Sequence, residues 1–138
     1  MKKSFSFFSL IIICVLLAVG CSEENNNYSS DLDAHKRDLD GYFFDSGRYQ
    51  LYFKDDKMMI NGRDIGKDKK SVLDEIYLNK GVELGGTVME EYENVEVTTN
   101  DNKYTIKVDD FTLEFTKFKD HIIVDSENME FIRNKLEI

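Results

Sequence analysis

Alternation of apolar and polar residues is the feature that most restricts the fold of this chain. From Tyr42 onward, short alternating runs are interrupted by turn signals about every ten residues. Tyr49, Leu51 and Phe53 alternate with more polar neighbours, and a similar run covers positions 104–108. A period of two is typical of a strand with one buried face, and antiparallel sheets with one wet face show it most clearly. The pattern therefore predicts an all-β fold.

The spacing of the runs predicts an antiparallel meander of about eight short strands that closes into a small barrel or sandwich. Aspartate and asparagine favour turns because their side chains bond to nearby backbone groups and tolerate positive φ. The turn signals are Asp55-Asp56, Asn61-Gly62, positions 99–102, Asp109-Asp110 and positions 125–128.

Three further segments have structural signals of their own. Positions 82–88 are predicted to be a strand weakened by Gly85-Gly86, which would form a bulge or bend. Positions 71–78 are the only mid-chain candidate for a helical turn. A short helix over positions 31–40 is expected to end at Gly41. The sequence thus allows at most one or two short helices.

The first 20 residues have the three parts of a bacterial export signal. Two lysines form its positive start, residues 5–19 are apolar apart from two serines, and Gly20 is a small residue at the end. The apolar run is shorter than the roughly 20 residues that a membrane-spanning helix needs. We therefore predict that residues 1–20 are a signal peptide.

The residues Ala18-Val19-Gly20-Cys21 resemble the lipobox of bacterial lipoproteins. The resemblance implies cleavage between Gly20 and Cys21, with a diacylglycerol on the thiol of Cys21 and this cysteine as the new N-terminus. Alanine stands at position 18, where leucine is commonest in the family. Two or three acyl chains on one residue hold a protein firmly on a membrane. The alternative is an ordinary cleaved signal with a chance cysteine, or an uncleaved anchor.

The resemblance also implies how the chain is divided and where it resides. Residues 21–30 are the lipidated cysteine and a flexible tether rich in acids and asparagine, and residues 31–138 are a single β-rich globular domain. The domain is expected to face the periplasm or the exterior, held by lipid on the cell membrane or the outer membrane. Ser22 favours the outer membrane by the sorting rule of enteric-type lipoproteins.

Both ends of the domain resemble small bacterial lipocalin-like domains. The first end is Leu39-Asp40-Gly41-Tyr42-Phe43, and the second contains Met129-Glu130-Phe131-Ile132-Arg133. The usual tryptophan of those domains is absent, and Tyr42 or Phe43 stands in its place. The resemblance implies a meandering barrel whose interior either holds a small apolar ligand or is packed with side chains.

Charge and cysteine content restrict the partners of the mature chain. The 118 residues after position 20 carry 27 acids and 16 bases, a net charge near −11. Such a surface repels nucleic acid phosphates, so DNA or RNA binding is not expected. Cys21 is the only cysteine left after cleavage, so the domain has no disulfide and must be stabilised by its core.

A search for catalytic or metal-binding patterns gives only separate residues. His35 and His121 have no evident partner, and none of the domain serines, Ser46, Ser71 and Ser126, lies in a Gly-x-Ser-x-Gly elbow. The acid-rich positions are Asp55, Asp56, Asp109, Asp110, Glu90, Glu91, Glu93 and Glu96. Turn preference and a solvated acidic face account for them, and the glutamates are also suited to weak Ca²⁺ binding or to a basic partner. No cofactor, metal site or catalytic residue is predicted.

The sequence therefore predicts a lipid-anchored cell-envelope lipoprotein with a non-enzymatic binding or interaction domain, for which a small apolar ligand is one option. A second hypothesis is an acidic partner-binding or inhibitory protein directed at a basic envelope enzyme. The third, a hydrolase acting on an envelope polymer, would use aspartates of the two acidic hairpin turns.

Overall fold

The structure, a computed structural model, describes residues 38–68 and 70–135. The predicted signal peptide, the cleavage site between Gly20 and Cys21, the lipidated Cys21, the tether and His35 lie outside these residues. They stay predictions, as does most of the helix expected over positions 31–40.

Nine strands are present in the described part of the chain. They are β1 Tyr42–Asp45, β2 Tyr49–Lys54, β3 Lys57–Gly62, β4 Val88–Tyr92, β5 Glu96–Asn100, β6 Lys103–Lys107, β7 Thr112–Lys119, β8 Ile122–Asp125 and β9 Glu130–Lys135. Helix α1, Val72–Asn79, lies between β3 and β4 in the chain.

All nine strands form one antiparallel sheet in the order β4-β3-β2-β1-β9-β8-β7-β6-β5. Every strand pairs with its neighbour in the chain except β4 and β5, and the first strand also pairs with the last, with Phe44 opposite Arg133. The sheet is curled into a half-barrel. The predicted all-β, antiparallel, barrel-like fold is therefore confirmed.

The two edge strands, β4 and β5, are consecutive in the chain. Only residues 93–95 separate them, and no ladder joins them among the described residues. Eight antiparallel ladders lie between them around the sheet, so the two strands run in the same sense. The segment 88–100 therefore acts as one bent chain whose first half pairs with β3 and whose second half pairs with β6. The sheet has nine strands, close to the eight or so that the sequence predicted.

Side chains from the inner face of the sheet form one hydrophobic cluster. The alternating residues Tyr49, Leu51 and Phe53 of β2 are 0–3% exposed, as the two-residue period predicted. Leu113 and Phe131 have no exposed surface at all. A side chain that lined a void large enough for water would keep surface in contact with that void. The inner face around these residues is therefore packed with side chains.

Two local predictions were wrong. Asn61-Gly62 is not a turn but the end of β3, paired with Gln50 and Tyr49. A Cβ at Gly62 would lie 2.6 Å from the ring of Tyr49, so the glycine makes room for a buried ring instead of supplying positive φ. The expected strand at 82–88 is a loop, in which Gly85 has φ +78°, and strand pairing begins at Val88.

Candidate functional site: the two ends of helix α1

Helix α1 begins with a complete capping box. The Ser71 hydroxyl accepts a hydrogen bond from Leu73 N, and the Asp74 carboxylate accepts one from Ser71 N. This satisfies amide groups that have no partner inside the helix. The helical segment predicted at 71–78 is thus confirmed, and it buries Leu73, Asp74 and Tyr77.

Polar side chains hold both ends of this helix. We call the group at its start the N-terminal cluster and the group at its end the Lys80 box. The N-terminal cluster consists of Arg48, Tyr49, Ser71, Asp74 and Asp125, and the Lys80 box consists of Tyr77, Lys80, Glu90, Tyr92, Asp110 and Phe111.

Asp74 is the centre of the N-terminal cluster. Its Oδ1 accepts hydrogen bonds from Arg48 Nη2 at 2.6 Å, Tyr49 Oη at 2.7 Å and Gly66 N at 2.6 Å. Its Oδ2 accepts from Ser71 N at 2.8 Å. The Asp74 side chain is only 5% exposed. A buried charge with this many donors joins β2, the loop after β3 and α1.

These contacts change the titration of both partners. Burial alone would raise the pKa of Asp74, but donors from Gly66, Tyr49 and Ser71 together with the Arg48 charge lower it. Burial and the hydrogen bond to Asp74 raise the pKa of Tyr49. Asp74 is therefore held as a carboxylate and Tyr49 as a neutral phenol that donates to it.

Asp125, the last residue of β8, is the second acceptor of this cluster. Its Oδ2 accepts from Ser71 Oγ at 2.6 Å and from Val72 N at 3.0 Å. Its Oδ1 accepts from Met129 N at 2.8 Å and Glu127 N at 3.0 Å, which orders the β8–β9 turn. One buried carboxylate thus fixes both the start of α1 and the turn that leads into β9.

At the other end of α1, three aromatic rings surround the Lys80 ammonium group. Lys80 Nζ lies 5.8 Å from the ring centroid of Tyr77, 5.1 Å from that of Tyr92 and 5.2 Å from that of Phe111. These distances are within the roughly 6 Å at which a cation is attracted to a ring face. The rings of Tyr92 and Phe111 also pack edge to face at 5.2 Å.

The same ammonium group contacts two carboxylates and a phenol. Lys80 Nζ lies 3.4 Å from Glu90 Oε2, 3.3 Å from Asp110 Oδ2 and 3.1 Å from Tyr92 Oη. Tyr92 donates its hydroxyl hydrogen to Glu90, so Tyr77 is the donor in its 3.2 Å contact with Tyr92. Burial raises the pKa of both phenols, and the bond to Tyr92 raises that of Tyr77 further. At Tyr92 the bond to Glu90 raises the pKa and the bond from Tyr77 lowers it, so the net direction is upward and both phenols stay neutral.

The Lys80 box lies between β4, at the edge of the sheet, and the β6–β7 turn. Glu90 and Tyr92 are paired with the buried residues Ile60 and Met58, which places them on the inner face of β4. Asp110 belongs to the turn between β6 and β7. The box therefore connects three elements across the side of the half-barrel where β4 has no further strand beside it.

The acidic residues singled out in the sequence fall into different surroundings. Glu90 and Asp110 enter the Lys80 box, whereas Glu91 and Glu93 contact Lys57 outside it, each at 2.9 Å. Glu96 is paired in register with Lys107, and Asp109 lies beside Asp110 in the β6–β7 turn. Asp55 and Asp56 form the turn between β2 and β3.

The serines and the histidine considered as candidate site residues also lie in different parts of the fold. Ser71 is the helix cap and Ser46 exchanges hydrogen bonds with Tyr49 in the β1–β2 turn. Ser126 and His121 lie in turns, where the carbonyl of His121 accepts from Arg133 N at 2.7 Å. No three of the metal-binding residue types come together in the part of the chain that the structure describes.

Sequence reasoning missed Lys80 and the two buried aspartates. A signal for Lys80 does exist, because it is the only Lys or Arg between Lys70 and Lys103. Asp74 was open to recognition as the third residue of a capping box after Ser71. Asp125 gave no comparable signal, because its partner Ser71 lies 54 residues away.

A shallow groove of about 340 Å³ lies on the outer side of β2 and β3. It is lined by Tyr52, Lys54, Asp55, Lys57, Met59 and Glu91. Its charged walls are mixed in sign, so it indicates no particular ligand chemistry.

Within residues 38–68 and 70–135, no helix has the length and apolarity needed to cross a membrane. No protein-family pattern, characterised protein or solved structure shows significant similarity to the chain. The site must therefore be interpreted from its own residues.

Proposed function

We propose that this chain is a lipid-anchored, non-enzymatic envelope protein that binds a basic partner protein through the acidic surface around the bent segment 88–100. Of the hypotheses raised by the sequence, the acidic partner-binding one is favoured over the carriage of a small apolar ligand. The anchoring part of the proposal rests on the resemblance of residues 18–21 to a lipobox.

The proposal rests on the charge of the segment that contains both edge strands. Residues 81–102 contain six acids and no Lys or Arg, and they include both edge strands of the sheet. Bases from other segments lie beside four of these acids: Lys57 contacts Glu91 and Glu93, Lys80 contacts Glu90, and Lys107 is paired in register with Glu96. The six acids outnumber these three bases, and a surface of net negative charge attracts a basic partner and speeds its association.

The packed inner face supports a surface interaction over an internal ligand. Inner-face side chains such as Leu51, Ile60 and Ile106 have no exposed surface. A small-molecule site normally needs a cavity of roughly 300 Å³ or more, and side chains without exposed surface do not line such a cavity.

The placement of the aspartates supports a non-enzymatic role. Asp55-Asp56 follows β2, and Asp109-Asp110 follows β6. Five ladders separate these two strands around the sheet, so they run in opposite senses and their turns lie at opposite ends. Two carboxylate pairs so placed do not face one cleft, as glycoside hydrolysis would require.

The partner proposal is tested by neutralising the acidic surface. The full-length chain, purified in detergent and immobilised, is exposed to envelope proteins at low and high salt. We expect basic proteins to be retained at low salt and released at high salt, because exposed charges are screened within about 10 Å at 0.1 M. A variant with Glu91, Glu93 and Glu96 changed to Gln should retain much less.

The matched control changes the same number of charges elsewhere. Glu114, Glu127 and Glu130 are also exposed, and their replacement by Gln alters net charge equally. If both triple variants lose the same amount of bound protein, net charge alone explains retention. If neither loses any, the proposed surface is wrong.

The anchor is tested separately by Cys21→Ala. We expect this variant to lose lipid attachment and to leave the membrane fraction, while the wild-type chain remains there. Recovery of the variant in the membrane fraction at its mature size would contradict lipid anchoring through Cys21.

A further inference from the structure

We propose that the Lys80 box is a receptor for an alkylammonium group and that Lys80 is its exchangeable occupant. The ligand class is a primary alkylammonium, for which the proposed basic partner would supply a lysine side chain. The identification of the partner's lysine as the ligand rests on the proposed function. The recognition of an ammonium group rests on the geometry of the Lys80 box alone.

The chemistry of the box matches an ammonium group on every side. Rings of Tyr77, Tyr92 and Phe111 have their centroids 5.1–5.8 Å from the nitrogen. Glu90 and Asp110 supply two negative charges, and the Tyr92 hydroxyl oxygen accepts a third hydrogen bond. Aromatic faces attract a cation electrostatically, and carboxylates add charge-assisted hydrogen bonds to the N–H groups of a primary ammonium.

The occupant is held loosely for a lysine between two acids. Its distances to carboxylate oxygen, 3.3 and 3.4 Å, exceed the 2.9 Å that Lys57 makes to both of its acids. The Lys80 side chain is also 29% exposed. Long contacts at a partly exposed position are what exchange of an ammonium group with water or another cation requires.

Helix α1 ends at Lys80, beside an open position of the backbone. Lys80 is the C-cap of α1, and Gly81 follows it with φ +90°. A Cβ placed on Gly81 would meet no atom within 4 Å, so the space on that side of the glycine is open. A vacated box would keep two carboxylates, and positions 71–102 contain no Lys or Arg besides Lys80.

The experiment is a titration with n-butylammonium, which has the length and charge of a lysine side chain, against the neutral analogue n-butanol at equal ionic strength. Binding is followed by NMR through the ring signals of Tyr77, Tyr92 and Phe111. We expect n-butylammonium to shift these signals in the wild-type chain and n-butanol to leave them unchanged.

Lys80→Ala should bind n-butylammonium about tenfold more tightly than wild type. A tethered competitor acts at an effective concentration of roughly millimolar, and this substitution removes it. Adding Glu90→Gln and Asp110→Asn to Lys80→Ala should abolish most of the gain. Lys57→Ala is the matched control, since Lys57 also lies between two acids, Glu91 and Glu93, and should leave the titration as in wild type.

Several outcomes would overturn the proposal. If wild type shows no ring shifts while Lys80→Ala binds n-butylammonium, Lys80 is a fixed structural contact and does not exchange with a ligand. If Lys80→Ala does not fold, the wild-type titration still decides, and equal shifts with n-butanol would rule out ammonium recognition. Ring shifts without capture of a basic protein would refute the proposed partner but would still support ammonium binding by the Lys80 box. Capture without ring shifts would support the partner and refute ammonium binding by the box.

Discussion

The two ends of helix α1 are held by charged side chains in different physical states. At its start, Asp74 and Asp125 accept hydrogen bonds of 2.6–3.0 Å, and Asp74 is only 5% exposed. At its end, Lys80 makes contacts of 3.1–3.4 Å, and the carboxylates of Glu90 and Asp110 are 40% and 64% exposed. One end is therefore built to stay closed, while the other remains accessible to water and to competing cations.

The difference follows from what burial demands of a charge. A carboxylate removed from water must have nearly all its acceptor positions filled, or its desolvation is not offset. An ammonium group at a partly exposed position keeps water as an alternative partner, so its contacts contribute less and exchange more readily. Substitutions at the two ends should therefore differ in effect, from large at the start of the helix to small beyond its end.

The largest effect is expected for Asp74→Ala. This change leaves Arg48, Tyr49 and the Gly66 amide without their shared acceptor, with Arg48 a charged and mostly buried donor. Removal of one member of a buried ion pair costs about 3–5 kcal/mol of unfolding free energy. Urea unfolding measures it, with the exposed neighbour Glu75→Ala as control. Equal small losses in both variants would refute the contrast between the two helix ends.

Asp125→Ala should come next, with a loss of about 2–3 kcal/mol. The partners left unsatisfied are a hydroxyl and three backbone amides, which are neutral donors. Hydrogen exchange should accelerate at Val72 and Met129, the two amides nearest the lost carboxylate in the helix and in the turn. Unchanged protection at both amides would show that water replaces Asp125 without loss.

The pH dependence of stability gives a third, smaller test of Asp74. Its pKa is lowered in the folded chain, whereas the unfolded value is about 3.9. The carboxylate therefore stabilises the fold fully above about pH 4, and this contribution is lost as pH falls towards the lower folded pKa. The difference in unfolding free energy between wild type and Asp74→Asn should shrink below about pH 4. A constant difference down to acid unfolding would contradict the lowered pKa.

Lys80→Met should lower the unfolding free energy by only about 0.5–1 kcal/mol. Methionine keeps the aliphatic part of the side chain, and the contacts of the ammonium group are partly exposed to water, which limits the loss. Thermal unfolding at low and high salt measures it, and the loss should diminish with salt. A loss as large as that of Asp74→Ala would show that the Lys80 box is as closed as the N-terminal cluster.

Lys57→Met should have the smallest effect of the series. Its two acids raise the pKa of Lys57, yet all three side chains are about half exposed or more, and no aromatic ring surrounds the ammonium. We expect a thermal midpoint indistinguishable from wild type. A midpoint shift larger than that of Lys80→Met would mean that the rings of the box add nothing to the binding of an ammonium group.

The strands were predictable because their signal is local. Tyr104 and Ile106 on β6, and Leu113 and Phe115 on β7, alternate with polar residues, and each of them is 0–5% exposed. Asp109-Asp110 joins these strands as predicted. Here turn preference and burial pattern agree, so a window of about ten residues was sufficient to predict the strands.

The failures occurred where a distant residue determined the local structure. Asn61-Gly62 has the composition of a hairpin turn, yet the ring of Tyr49 requires a residue without a Cβ inside β3. The box was hidden for the same reason, because Lys80 is 10 residues from Glu90 and 30 from Asp110. No short-range pattern contains either pair.

The sequence by itself determined the class of fold, the position of the short helix and the acidic character of the surface, since periodicity, capping and charge are properties of neighbouring residues. The tertiary structure decided which acids are buried acceptors, which contact Lys57 and which form the Lys80 box. The physical reason is that the energy of a charge depends on its burial and its partners. Both arise only when curling of the sheet brings β4, the β6–β7 turn and α1 together.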